Sequence, residues 1–242
     1  MKKEQIVVDG PKIRIDFHAH ILPRLDHGSD SRETSASQLA MMQAAKTDIV
    51  CATSHFYPQR VLLDAFLKKR EEALAALLKR VDDAPRPRIL LGAEVLICEG
   101  LEHMDGLRKL CLQGTNVLLL EMPFIGGTAW TPKLYNTAEE IMALGIQPVL
   151  AHVDRYPKKA IEPLLKKGLL AQVNAYGLCR LFKKKQLLEW IESGSVVALG
   201  SDLHEAKPDG YRAWHHVMTT MPEQATAVME RTQMLVKDAI RY

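Results

Sequence analysis

Short apolar runs alternate with longer stretches of helical period along the whole chain. Alternate positions Ile13, Ile15 and Phe17 read as a strand over 13–17, and Ser31 stands as N-cap of a helix over 32–46. Further strands are predicted over 49–53, 88–93, 116–121, 147–151, 169–174 and 196–200. Helices are predicted over 61–80, 132–144, 158–167, 181–192, 211–220 and 222–240. Pro85 and Pro87 stop the 61–80 segment, and Gly145 ends 132–144. Seven apolar strands separated by helices predict a parallel α/β sheet, either doubly wound or closed as a barrel. No linker or internal repeat divides the sequence, so one domain is expected over 1–242.

Composition excludes several classes. The 242 residues are 47% hydrophobic and 25% charged, enough for a substantial core. The longest apolar stretches fall far below the roughly 18–20 residues of a membrane span. The first residues lack an apolar leader, so the expectation is a cytoplasmic protein with no membrane span. Cys51, Cys98, Cys111 and Cys179 form no CxxC pair and read as free packing thiols. A net charge of +3, from 32 basic and 29 acidic residues, gives no reason to expect a nucleic-acid partner. The basic runs 68–70 and 183–185 read as solvated helix faces.

The polar residues are placed more selectively. Six of the nine histidines lie at strand-to-helix junctions, where His18, His20, His27, His55, His152 and His204 meet the acids Glu94, Glu121 and Asp202. In a closed barrel those strand ends share one mouth, and this favours the barrel over the open sheet. His18-Ala19-His20 puts two imidazoles on one side of an extended segment, and Asp202-Leu203-His204 repeats the alternation. Glu94 and Glu121 end apolar runs, where an unpaired carboxylate is costly and a metal ion would compensate it. Arg155, three residues after His152, offers a planar fork suited to phosphate. The loop 25–29 adds a ligand from either Asp26 or His27. His103, His215 and His216 read as ordinary surface or helix residues. No cysteine is followed by Arg at the spacing of the Cys-x5-Arg phosphatase loop.

Together IDFHAHILPRLDHGSDS at 15–31, TSH at 53–55, GAEV at 92–95, LLLEMPF at 118–124, PVLAHVDRY at 148–156 and SDLHE at 201–205 resemble the PHP metal-dependent phosphoesterases. Within them, the match is to the CpsB/YwqE-type bacterial tyrosine-protein phosphatases. The resemblance implies a single-domain distorted (β/α)7 TIM-like barrel with three divalent ions, often manganese, with iron or zinc as alternatives. It implies that His18, His20, Glu94 and Asp202 hold one ion, and that Glu94 bridges to a second held with Glu121 and His152. His55 and His204 would hold the third with Asp26 or His27. Arg155, Asp202 and His204 would be catalytic, and Arg155 would grip the phosphate. Two departures stand out: Asp26-His27 replaces a pair of acids, and a second phosphate-binding arginine has only Lys207 or Arg212 as stand-ins. The implied activity is hydrolysis of phosphotyrosine on a bacterial tyrosine kinase that regulates capsular or exopolysaccharide synthesis. Rival readings are a small-metabolite phosphatase such as histidinol-phosphate phosphatase, a metal-dependent amidohydrolase, and a metal-binding protein without turnover.

Overall fold

The computed structural model describes residues 11–123, 130–206 and 211–240. Among these, β1 (Ile15–Ala19), β2 (Ile49–Ala52), β3 (His55–Phe56), β4 (Arg88–Leu91) and β5 (Glu94–Leu96) come from the first half of the chain. They are followed by β6 (Val117–Glu121), β7 (Gln147–Leu150), β8 (Leu170–Asn174) and β9 (Val196–Gly200). Every ladder is parallel, in the orders β1-β2-β4 and β3-β5-β6-β7-β8-β9.

Two expected strands are interrupted. The 49–53 run continues past Thr53-Ser54 as β3, and the 88–93 run continues past Gly92-Ala93 as β5, so seven strand paths remain. A Cβ on Gly92 would lie 2.6 Å from Leu112 Cδ2, so glycine lets the Leu112 side chain pack closely against the backbone there. The Glu94 N–H is then shared between the carbonyls of Thr53 and Ser54 at 3.2 and 3.1 Å. Glu94 therefore opens a buried strand instead of ending one.

The ring is stitched between its first strand and the segment after its last. Asp202 N–H donates to the His18 carbonyl at 2.7 Å, and His20 N–H donates to that of Leu203 at 3.0 Å. Ala19 and Leu203 form a parallel bridge. The result is the distorted barrel expected from the placement of the polar residues, and it gathers the strand ends at one mouth.

Around the ring lie α1 (Arg32–Ala44), α2 (Leu63–Val81), α3 (Pro132–Ala143), α4 (Lys158–Lys166), α5 (Ala175–Leu178), α6 (Leu181–Glu192), α7 (Arg212–Thr220), α8 (Pro222–Leu235) and α9 (Lys237–Ile240). Ser31 caps α1 as expected, its Oγ accepting the Thr34 N–H at 3.1 Å. Gly145 takes φ 74° after α3, the left-handed stop that glycine adopts without strain. The helix expected over 222–240 breaks at Val236. On β1, Ile15, Phe17 and Ala19 are fully buried in the apolar core, while Asp16 and His18 alternate with them and are equally buried. Each large apolar side chain buried this way contributes about 1.5–3 kcal/mol. No described helix is long and apolar enough to cross a membrane.

Candidate metal centre

The alternation of β1 carries His18 and His20 to the barrel mouth, and the loop before α1, β3, β5, β6 and the turns after β7 and β9 bring the rest. His18 Nε2 and His20 Nε2 lie 3.2 and 3.3 Å from Glu94 Oε2, and 3.6 and 3.5 Å from Asp202 Oδ1. The two Nε2 atoms are themselves 3.1 Å apart. His152 Nε2 lies 2.7 Å from Glu94 Oε1 and 3.8 Å from Glu121 Oε1. His55 Nδ1 lies 3.0 Å from Glu94 Oε2 and 3.6 Å from Glu121 Oε2. His204 stacks on His20, with ring centroids 4.0 Å apart, and His27 stacks on His55 at 4.6 Å and faces His204 at 4.8 Å. All the imidazoles and carboxylates read as ligands thus meet in one cluster.

A chain of amides orients the first of them. Gln172 Oε1 accepts the His152 N–H at 2.7 Å, which identifies that atom as the carbonyl oxygen, so the His18 Nδ1–H must donate to it at 3.1 Å. Gln172 Nε2 donates to Asn174 Oδ1, and Asn174 Nδ2 donates to Asp202 Oδ2, both at 2.9 Å. Arg155 donates to the same Asp202 oxygen, so its guanidinium sits against a carboxylate that also faces His18 and His20.

Asp26 plays the matching part for His20. One oxygen accepts the His20 Nδ1–H at 2.7 Å and the His55 N–H at 2.9 Å, and the other accepts the Gly28 N–H at 2.9 Å. These bonds, with His20 foremost, overcome burial and hold the Asp26 carboxyl well below its usual range. A Cβ on Gly28 would fall 2.3 Å from His20 Cβ, so glycine is required for the loop to reach this close. Asp26 is committed on every side, whereas the His27 ring faces the other imidazoles.

The electrostatics match a site built for cations. Burial alone lowers the affinity of His18 and His20 for a proton, but Glu94, Asp202 and Asp26 reverse this and raise both above the ordinary value, His20 strongly. Burial and its cationic neighbours lower His204 to about 4. Burial and the Glu94 charge raise Glu121, while the surrounding imidazoles hold Glu94 well down. His152 (φ 31°) and Asp202 (φ 53°) are both left-handed, strain of about 1–3 kcal/mol each that concentrates at functional turns.

The donor set fits divalent metal. Glu94 Oε2 is buried and makes no hydrogen bond despite three imidazole nitrogens within 3.0–3.3 Å, and His55 Nδ1 is likewise without one. With both Nδ1 protons committed, the neutral rings of His18 and His20 turn their lone pairs towards each other, an arrangement only a cation or a proton between them relieves. Donors bound at about 2.0–2.2 Å to one ion stand about 3.0–3.5 Å apart, which is the spacing seen here. Three donor groups can be traced: His18, His20 and Asp202; His55, Glu94 and Glu121; and His20, His55 and His204.

The remaining expectations are placed more loosely. Lys207 lies outside the described residues. Arg212 is exposed on the first turn of α7 and does not line the cavity that contains Arg155 and Asp202. His103 is exposed 3.5 Å from Glu102, and His215 and His216 are exposed on α7. Sequence reasoning missed Gln172, Asn174 and Asp16. Asp16 accepts the Tyr211 hydroxyl at 2.6 Å and the Ser201 N–H at 2.8 Å, tying β1 to the turn that carries Asp202. The signal was available as polar residues two apart in buried strands, Asp16 with His18 and Gln172 with Asn174. The cavity, of about 620 Å³, opens from Arg155, Asn174, Ser201 and Asp202 towards Tyr176, Arg180 and Phe182.

The family model described as capsular polysaccharide synthesis, CpsB/CapC, matches residues 14–234. The tyrosine-protein phosphatase CpsB of Streptococcus pneumoniae is 28% identical over 210 residues, covering 78% of this chain and 82% of that protein. The tyrosine-protein phosphatase YwqE of Bacillus subtilis is 29% identical over 206 residues, covering 80% and 78%. A chain from the crystal structures of YwqE and CpsB, described as unique metal-dependent tyrosine phosphatases, superposes with a TM-score of 0.75 at 22% identity, covering 93% of this chain and 94% of that one. Histidinol phosphate phosphatase from Lactococcus lactis shares the fold more distantly, with a TM-score of 0.56 at 12% identity over 90% and 93% of the two chains.

Proposed function

We propose that this chain, which belongs to the CpsB/CapC family of capsular polysaccharide synthesis, is a metal-dependent phosphatase that hydrolyses phosphotyrosine on protein. The observation that carries the reading is Glu94 Oε2, buried without a hydrogen bond among the Nε2 atoms of His18 and His20 and the Nδ1 atom of His55. The names of the curated relatives supply the substrate class. A bacterial tyrosine kinase that governs polysaccharide synthesis is the partner this reading favours, and the cell interior is its place.

In this reading His18, His20, Glu94 and Asp202 hold one ion, Glu94, Glu121 and His152 a second, and His204, His27 and His55 a third. His55 also reaches the Glu94 and Glu121 oxygens, so it sits between the last two groups. Asp26 orients His20 and is not itself a ligand. Divalent ions bound there supply Lewis acidity at the phosphoryl oxygens and make water acidic enough to attack near neutral pH, with manganese the expected ion and iron or zinc as alternatives. Arg155 is partly exposed at the cavity floor, where its fork can leave Asp202 for two phosphoryl oxygens. Asn174 keeps Asp202 in place when Arg155 turns to substrate. His204 donates its Nδ1–H to the Asp202 carbonyl at 3.0 Å, and with a pKa of about 4 it stays neutral and keeps Nε2 for ligation at pH 7.

The deciding experiment compares a phosphotyrosyl peptide with histidinol phosphate before and after chelation. Chelator-sensitive turnover of the peptide supports the reading, and a preference for histidinol phosphate replaces it with the metabolite phosphatase. Loss of peptide hydrolysis in His18→Ala is also expected.

A further inference from the structure

Resting on the phosphatase reading, we infer that the outer wall of the cavity beside Arg155 is a docking surface for the polypeptide flanking the phosphotyrosine, and that it selects acidic segments bearing an apolar side chain. Tyr176, Arg180 and Phe182 line the same cavity as Arg155, Asn174 and Asp202, so whatever occupies the phosphate end is continuous with them. Among the described residues seven large apolar side chains are exposed, and three of these fall between 176 and 182. Tyr176 is 61% exposed, Leu181 86%, and Phe182 is bare to solvent. The fold does not need them there: α6 anchors itself through Leu187, Trp190 and Ile191 on its buried side. Apolar side chains clustered at the mouth of a polar site mark a contact surface.

The charges at that mouth define the occupant. The Arg180 guanidinium rests 5.7 Å from the Tyr176 ring centroid, exposed at the rim. Lys184 and Lys185 follow on the same helix. Lys183 is spent internally, donating to the carbonyls of Asp154 and Tyr156 at 2.6 and 3.0 Å, and so holds the turn that carries Arg155. The two acids facing the cavity are also engaged, Asp154 by the Asn174 N–H at 2.9 Å and Asp202 by Arg155 and Asn174. The accessible field is cationic beside aromatic surface, complementary to an acidic segment with an apolar anchor.

The test measures kcat/KM on p-nitrophenyl phosphate and on two phosphotyrosyl peptides of equal length, one flanked by Glu and Leu, the other by Lys and Ser. Wild type is expected to favour the first peptide. Arg180→Glu is expected to lower kcat/KM on it about five- to tenfold more than on p-nitrophenyl phosphate, through KM, and to abolish the preference. Phe182→Ala is expected to lower it about three- to tenfold more, also through KM. Both side chains are exposed, and unchanged thermal melting verifies that the variants fold. Variants that leave the peptide preference and the peptide-to-small-substrate ratio as in wild type overturn the surface alone. A dimer by light scattering that Phe182→Ala splits also overturns it, since the patch then serves a second copy. Wild type that cleaves none of the three substrates overturns the phosphatase reading and the surface with it.

Discussion

His18 and His20 face each other through Nε2 atoms 3.1 Å apart, while Gln172 takes the Nδ1 proton of one and Asp26 that of the other. A cation between the rings turns a repulsion into a bond, and without metal a proton takes its place. Metal binding at neutral pH is therefore expected to expel protons, because the metal-free protein holds His18 and His20 above their ordinary pKa. Calorimetric titration with Mn²⁺ at pH 7 in buffers of different ionisation enthalpy should show net proton release. Affinity should rise as the pH climbs through the raised values.

The same shifts set the pH dependence of the metal-free protein's stability. For His18 and His20, raised from 6.5, the stabilisation is complete below about pH 6.5 and is lost as pH rises through their folded-state values. For His204, lowered to about 4, the contribution is complete above about 6.5 and is lost as pH falls towards 4. Thermal melting of chelated protein should peak near pH 6–7 and decline on both sides. Metal-loaded protein should not show the alkaline decline.

Gln172→Leu leaves the His18 Nδ1–H and the His152 N–H without their acceptor inside the barrel. The expected cost is about 2–4 kcal/mol in denaturant unfolding. Metal affinity should drop about 10- to 100-fold, as for other lost orienting partners.

Asp26 and His27 separate by what they lose. Asp26→Ala removes the acceptor for three donors and should weaken metal affinity about 10- to 100-fold with the number of ions bound at saturation preserved. His27→Ala should lower that number by one. Elemental analysis after equilibrium dialysis distinguishes the two, and an unchanged ion count in His27→Ala would return the ligand role to Asp26.

Gly28→Ala would drive a methyl group into His20 Cβ and the His20 carbonyl, at 2.3 and 2.8 Å. Overpacking of this kind costs about 1–3 kcal/mol, and the displaced His20 should also reduce metal content in the purified protein.

Much of this arrangement was legible in the sequence, for physical reasons. The barrel followed from apolar strand runs punctuated by histidines and acids, because a parallel sheet is buried on both faces and polar residues concentrate towards its ends. The convergence of His18, His20, Asp202 and His204 followed from period-two spacing at 18–20 and 202–204. The kinks at Thr53-Ser54 and Gly92-Ala93 were hidden, because they show only in how the two strands pair, where the Glu94 N–H is shared between two carbonyls. Periodicity also could not choose between Asp26 and His27, since the hydrogen bonds of Asp26 to His20, Gly28 and His55 are set by how the loop folds back and not by spacing. Gln172 was overlooked because an amide amid apolar neighbours looks like a tolerated polar residue until its two ends are traced.

The seam between β1 and the turn after β9 has a bearing on how the protein is made. Asp202 and His18, which the proposed assignment gives to one cation, are 184 residues apart in the sequence and are pinned together only when that seam zips. A nascent chain still tethered to the ribosome before residue 202 emerges carries imidazoles but no finished cage. Ion selection is thereby postponed until residue 202 has emerged, and a chain truncated before the seam should capture transition metals loosely and without discrimination.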